Sequence, residues 1–256
     1  MLAAVLGLTA CAAPAGGHDG PVADKGSSTP SPMAAPATSQ QIPSGPEEET
    51  YSIPSTWTDP VCWAALPRGS RTAAGTGYQT GFPDTTEGAV AVLVAGSATN
   101  LQPGTSLADQ QAAIYHTYLS SADQIPGGEA KVRAKAQQTE AENRSDLGLP
   151  AAGPLPRGAF VRGNVVGFKV IQQSRGEETV YRLTKVSRKA GDTSPVTEAY
   201  VISVLGAAWQ DTDWKMSVKA TTDAVARTRG QQPSTLAAPG DAKFNDAGWT
   251  ALRQAA

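Results

Sequence analysis

Thiol and imidazole chemistry is confined to four side chains of this 256-residue sequence: Cys11, His18, Cys62 and His116. Zinc fingers, iron–sulfur clusters and disulfide scaffolds need more of these residues, so the sequence excludes all three. His18 lies in a polar segment with no second ligand beside it, and we expect no metal there. No Walker loop, catalytic triad or Rossmann glycine pattern occurs. The sequence therefore predicts no catalytic, cofactor-binding or metal-binding residue.

Cys62 follows Val61 and precedes Trp63 in a short apolar stretch. This setting is typical of a cysteine that packs as a small buried hydrophobe. A nucleophilic cysteine needs a neighbouring base, and only His116 could serve as one. His116 falls in a predicted helix, where we expect a half-buried structural histidine. A Cys62–His116 nucleophilic pair is the alternative.

Asp211 and Asp213 are two residues apart in a predicted turn. A solvated turn is the favoured interpretation, and an acid–base pair is the alternative. Four tyrosines could line a small-molecule pocket, but aromatic residues at core spacing favour the core itself. These tyrosines are Tyr78, Tyr115, Tyr181 and Tyr200.

The segment Leu8-Thr9-Ala10-Cys11 resembles the lipobox of bacterial lipoproteins. Residues 1–10 are uncharged and apolar, which suits a signal peptide and is too short to span a bilayer. The resemblance implies that the Cys11 thiol is diacylglycerated, and two acyl chains hold a protein stably on a membrane. No Lys or Arg precedes Cys11, so either the true start lies upstream or the segment is not a signal. A buried helix start with an incidental cysteine is then the alternative.

Residues 11–50 have the composition of a disordered, lipid-anchored linker. Pro, Gly, Ala, Ser and Thr dominate, and only Val22, Met33 and Ile42 are larger apolar residues. Such a segment buries too little surface to offset its ordering entropy. We therefore predict a signal peptide at 1–10, the linker at 11–50, a folded domain at 51–220 and a loosely packed tail at 221–256.

The charge balance and the hydropathy limit how the protein could bind nucleic acids and membranes. Lys and Arg total 21, Asp and Glu total 23, and the net charge is −2. Nonspecific nucleic-acid binding needs a basic surface, so the sequence argues against it. No apolar run reaches the roughly 18 residues of a spanning helix. The predicted contact with the membrane is the lipid anchor.

The sequence pattern in the first half of the folded domain predicts helices. Apolar residues recur at helical spacing over 105–121, with Thr105 or Ser106 as the cap. A second, surface-lying helix is predicted over 129–144, with a thin alanine face. The apolar run that begins at Gly88 is consistent with a buried strand or a buried helix. A preceding Thr and an early Glu favour the helix.

In the second half of the domain the apolar residues recur with a period of two, which predicts strands. Four are expected, with turns between them, at 159–173, 179–189, 197–209 and 214–219. In the last of these, Trp214, Met216 and Val218 face inward. We therefore predict an α+β fold whose helices pack on a curved, four-stranded antiparallel meander.

Helices followed by such a meander resemble the cone-shaped, cystatin-like fold of nuclear transport factor two. Three segments also resemble an actinobacterial domain of unknown function that is often found in integrative conjugative elements. They run from Ala65 to Gly75, from Gly77 to Ala91, and from Asp213 to Lys215. The resemblance covers about residues 57 to 256 and favours a helix at 87–98. The chain departs from the family at Gly81-Phe82-Pro83, where a histidine is common.

Together these observations predict a non-catalytic lipoprotein on the outer face of the cytoplasmic membrane. The family resemblance implies that it binds other envelope or secretion-system proteins, as an accessory of a conjugative transfer apparatus. The alternative is a small-molecule carrier or a cone-fold enzyme with a pocket at the open end of the sheet. An acidic residue deep in the cone would favour this alternative.

Overall fold

The computed structural model describes residues 62–231 and 234–254. The fold is α+β, as the sequence predicts. The strands are β1 Trp63–Leu66, β2 Arg71–Thr72, β3 Gln79–Thr80, β4 Thr99–Leu101, β5 Phe160–Ser174, β6 Glu177–Lys189, β7 Thr197–Gln210, β8 Asp213–Met216 and β9 Thr250–Gln254. The helices are α1 Thr86–Ala95, α2 Leu107–Tyr118, α3 Gly128–Asp146, α4 Val218–Thr228 and α5 Ala242–Asp246. A short 3₁₀ turn covers Ser121–Asp123.

Seven strands form one curled, mixed sheet. Its order is β1-β9-β5-β6-β7-β8, and β4 pairs with β5. β5 through β8 pair antiparallel with their sequence neighbours, whereas β1 runs parallel to β9. The sheet is thus larger than the four strands expected. β1, β4 and β9 have only three to five residues each, too few to show a period of two in the sequence.

Helix α1 resolves the ambiguity of the apolar run after Gly88. Thr85 caps the helix, because its side chain accepts the backbone N–H of Gly88 at 3.1 Å. A Cβ at Gly88 would overlap the carbonyl of Pro83, so this close approach requires glycine. Residues 88–93 are all buried, which explains why the run shows no amphipathic period.

Helices α2 and α3 lie close to their predicted positions. Ser106 caps α2 and accepts the N–H of Asp109 at 3.2 Å. α3 packs on α2 through a small cluster that contains Leu107 and Ala136, and most of its other residues are exposed or half-buried. This is the thin apolar face that the sequence predicts.

Different helices cover the two faces of the sheet, and we call these faces the α1 face and the α4 face after the helices that pack on them. The α1 face carries Val180 and Leu205, which pack with α1, α2 and Trp214 in the largest core cluster. The α4 face carries Leu183, which packs with Phe244 and Trp249 near α5. Gly206 also lies on the α4 face, where a Cβ would overlap Ala220 of α4. Neighbouring residues of β6 therefore point alternately into one cluster and the other.

The C-terminal part differs from the sequence prediction. The last meander strand ends at Met216 instead of Lys219, because Ser217 caps α4 by accepting the N–H of Ala220 at 3.1 Å. Ala220 and Ala224 are buried at helical spacing. Further on, Phe244 and Trp249 are 0% and 2% exposed. Part of 221–256 is therefore packed into the domain, whereas residues 225–231 and Leu236 are mostly exposed.

Candidate functional site

Cys11, the predicted lipidation residue, and His18, in the predicted linker, lie outside the described residues. Cys62 is exposed, so its interpretation as a small buried hydrophobe is wrong. Its backbone carbonyl accepts the N–H of Ala251 at 2.8 Å, which places it at the start of β1 with its side chain outside the core.

His116 is exposed on α2 rather than half-buried, with 55% of its side chain accessible. Its Nε2 lies 2.9 Å from the carboxylate of Glu129, which also accepts a hydrogen bond from Arg133 at 2.7 Å. The bond from Arg133, and then that from His116, lowers the pKa of Glu129. His116 thus belongs to an ionic cluster between α2 and α3, and its neighbour in the structure is a carboxylate, not a thiol.

The two aspartates expected in a solvated turn differ in environment. Asp211 is exposed and has a φ of +50°, as a tight turn requires. Asp213 is 3% exposed, so the expectation of solvation is wrong for it. One carboxylate oxygen accepts the N–H of Phe82 at 2.9 Å, and the other accepts the ammonium of Lys215 at 3.1 Å. Both oxygens are engaged in structural bonds, which argues against an acid–base role.

The four tyrosines do not converge on one pocket. Tyr115 is buried in the core and donates its hydroxyl to the carbonyl of Ile125 at 3.2 Å. Tyr78 stacks on Tyr118 with ring centroids 5.5 Å apart. Tyr181 and Tyr200 lie on the α4 face, against the Phe244 cluster. Tyr181 also borders a polar cleft of about 380 Å³ near Lys169 and Asp246.

Glu178 of β6 is the acidic residue in the interior that the sequence analysis missed. It is 1% exposed and shares the α1 face with Val180. The Thr86 hydroxyl donates to its Oε2 at 3.4 Å, and the Gln173 amide donates to the Thr86 oxygen at 2.8 Å. Its Oε1 is buried and has no partner among the described residues.

Burial raises the pKa of Glu178 to about 7, against the opposing effect of the Thr86 hydrogen bond. The negative charge of Glu87 raises it further. The carboxyl group therefore changes protonation state near neutral pH. In the sequence, Glu178 follows Glu177 at a predicted hairpin turn, and this position predicts a solvent-exposed side chain. Only its even spacing from Val180 indicates that it points inward.

Farther along the α1 face, three polar side chains lie together. Arg182 is directly opposite Ser203 of β7, and Thr184 follows Arg182 by two residues, so all three share this face. Arg182 Nε, Thr184 Oγ1 and Ser203 Oγ are buried without a hydrogen-bond partner. Burial lowers the pKa of Arg182 to about 10. We call these three residues the Arg182 group.

Strand β7 has an open edge over residues 198–204. It pairs with β6 over 197–208 but with β8 only over 207–210. The N–H and C=O of Gly206 point away from β6, since they bond to Thr221 and Ser217. By the alternation of a strand, the backbone groups of 198, 200, 202 and 204 also point outward. No described residue pairs with them.

Within the described ranges, no helix is long and apolar enough to cross a membrane, and no cluster of three metal-ligating side chains occurs. The site features are therefore a buried acid, an unpaired arginine with two hydroxyls, and an open strand edge. Comparison of the chain with family models, with curated proteins and with solved structures finds no match.

Proposed function

We propose that this chain is a non-catalytic lipoprotein, anchored through Cys11 on the outer face of the cytoplasmic membrane, whose domain binds other envelope proteins. The lipobox-like segment and the linker composition of residues 11–50 support the anchor. The resemblance to a family found in conjugative elements supports a role as an accessory of conjugative transfer. The curled sheet of an α+β fold, with α1 and α2 packed on one of its two covered faces, supports a cone-like fold similar to nuclear transport factor two.

The observation that carries the binding function is the open edge of β7. Four residues present outward backbone donors and acceptors there, in the sequence Glu198-Ala-Tyr-Val-Ile-Ser-Val204. Proteins usually protect a long edge with lysines, prolines or a covering loop. This edge has one charged residue and no proline, so it is a suitable template for an added strand from a partner.

A proline at residue 204 tests the edge. Val204→Pro removes an outward N–H while leaving the β6–β7 hydrogen bonds in place, and Val204→Ala is the matched control that keeps the N–H. The full chain with Cys11 intact is recovered from detergent-solubilised membranes. We expect secretion-channel proteins to co-purify with wild type and Val204→Ala, and several-fold less with Val204→Pro. Equal recovery with a folded Val204→Pro variant would overturn the edge as the binding surface.

A second candidate function is that of a small-molecule carrier or a cone-fold enzyme, and Glu178 is the observation that favours it. A buried carboxyl group with a pKa near neutrality is suited to exchange a proton with a ligand. Native mass spectrometry of the full chain tests this function. A bound metabolite that is lost in Glu178→Gln would support it, and an unliganded wild-type protein would argue against it.

A further inference from the structure

Arg182 has an unusual setting for a cation. Its neighbours across the sheet are Phe168 on β5 and Ser203 on β7, and its neighbours along the same face of β6 are Val180 and Thr184. Phe168 and Val180 are 5% and 1% exposed. The Arg182 side chain therefore projects from the sheet between apolar core residues on one side and two hydroxyl groups on the other.

No ion pair of Arg182 with a carboxylate is found in the described ranges, whereas two other arginines of the domain have one. Arg188, on the same face, lies 3.1 Å from Asp146. Arg144 lies 3.1 Å from Glu140. Glu178 is on the same strand face but is separated from Arg182 by Val180, and its hydrogen bond comes from Thr86.

A buried donor without an acceptor is unfavourable, because folding has removed it from water. The Nε–H of Arg182 and the two hydroxyls are in this state, although Arg182 as a whole is only half-buried. Three unsatisfied groups on adjacent positions of one face therefore need a common explanation. A single bound group that accepts hydrogen bonds from all three would supply it.

We propose that Arg182, Ser203 and Thr184 form a binding site for the carboxylate of a small ligand. The planar guanidinium matches a carboxylate in a bidentate arrangement, and the two hydroxyls can donate to the same oxygens. The Arg182 group contains one positive charge and no second base, which fits a single negative charge better than a phosphate dianion. This site is on the α1 face and is independent of partner binding at the edge of β7.

A stability measurement separates this role from a purely structural one. Arg182→Met replaces the charge with an apolar side chain of similar length. If the arginine serves a ligand, the variant without ligand unfolds at the same temperature as wild type or higher, because a buried Nε–H without an acceptor is gone. Arg162→Met is the matched control, since Arg162 of β5 already has partners in Gln102 and the Phe160 ring.

The test uses the full chain with Cys11→Ser, with sodium acetate as the probe and sodium chloride at equal ionic strength as the reference. We expect acetate to raise the melting temperature of wild type and Arg162→Met by a few degrees, about 2–4 °C per kcal/mol for a domain of this size. Arg182→Met should show no rise, and Ser203→Ala a smaller one. The Arg182 Nε–H resonance, assigned by its loss in Arg182→Met, should shift with acetate.

Three outcomes would overturn the proposal. One is an equal acetate effect in wild type and Arg182→Met. Another is a large fall in the melting temperature of ligand-free Arg182→Met, which would assign the residue a structural role. The third is a shift of the Nε–H resonance with inorganic phosphate but not with acetate, which would contradict the carboxylate class.

Discussion

Asp213 accepts the backbone N–H of Phe82 at 2.9 Å, a bond that joins the loop before α1 to the first residue of β8. The next residue, Trp214, donates its indole N–H to the carbonyl of Pro83, also at 2.9 Å. Lys215 then pairs with Asp213 and donates to the carbonyl of Thr117. The segments 77–91 and 213–215 are thus in direct contact, and their residues fix α1 on the sheet.

Asp213→Ala should destabilise the domain by about 3 kcal/mol or more. The substitution leaves the Phe82 N–H without its acceptor. It also leaves the half-buried Lys215 ammonium without its counter-charge, bonded only to the carbonyl of Thr117. Chemical denaturation measures the free energy of unfolding. Asp211→Asn, at the exposed turn position, is the control and should change it by less than about 0.5 kcal/mol. Equal effects of the two variants would contradict the structural role of Asp213.

Trp214→Ala should destabilise by roughly 3–5 kcal/mol, the usual cost of truncating a buried aromatic side chain. Trp214 is 3% exposed and lies 5.4 Å from the Trp209 ring. Trp214→Phe keeps most of the apolar contact and loses the bond to Pro83, so it should cost only about 1–2 kcal/mol. Thermal unfolding of the two variants checks the order, and an unchanged melting temperature for Trp214→Ala would refute the prediction.

Glu178 should make the stability of the domain depend on pH. Its pKa is about 7 in the folded state and 4.5 in its ordinary range, so the folded state binds more protons between these values. The stabilisation is fully present below about pH 4.5 and is lost as pH rises through 7. The loss is as much as about 3 kcal/mol, from 1.36 kcal/mol per pKa unit.

Glu178→Gln tests this dependence, because the amide keeps the shape of the side chain and does not ionise. We expect the free energy of unfolding of the wild type to fall relative to this variant between pH 5 and 8. Glu177→Gln, at the neighbouring and more exposed position, should follow the wild-type curve. Parallel curves for wild type and Glu178→Gln would show that the buried carboxyl does not titrate in this range.

Cys11→Ser should move the protein from the membrane to the soluble or secreted fraction. The reason is that the lipobox-like Cys11 provides the predicted anchor, and the described residues contain no membrane-spanning helix. Cell fractionation measures the change, and Cys62→Ser is the control that should stay on the membrane. A Cys11→Ser protein with unchanged detergent partition would exclude lipid anchoring at this residue.

Local sequence patterns are sufficient to predict those helices and strands whose caps and periodicity lie within one short stretch of the chain. Ser106 and the spacing of Leu107, Ile114 and Tyr118 predict α2, because a helix is defined by its cap and its 3.6-residue period. The long β5, β6 and β7 strands are likewise predicted from alternation over 13 to 15 residues. The inward direction of Trp214 follows from the same alternation.

The tertiary structure alone decides which polar residues are buried and what they contact. The pairing of Trp63 with Ala251 joins the two ends of the described chain, and neither short strand shows a period from which it could be predicted. Asp213, Glu178 and Arg182 read as turn or surface residues because burial depends on which element covers a strand face. That covering element, α1 for Glu178, lies about ninety positions away in the chain, at Thr86. The sequence by itself determined the candidate anchor, helices α1 to α3 and the strand periods, whereas α4 and the polar groups of the interior were decided by long-range packing.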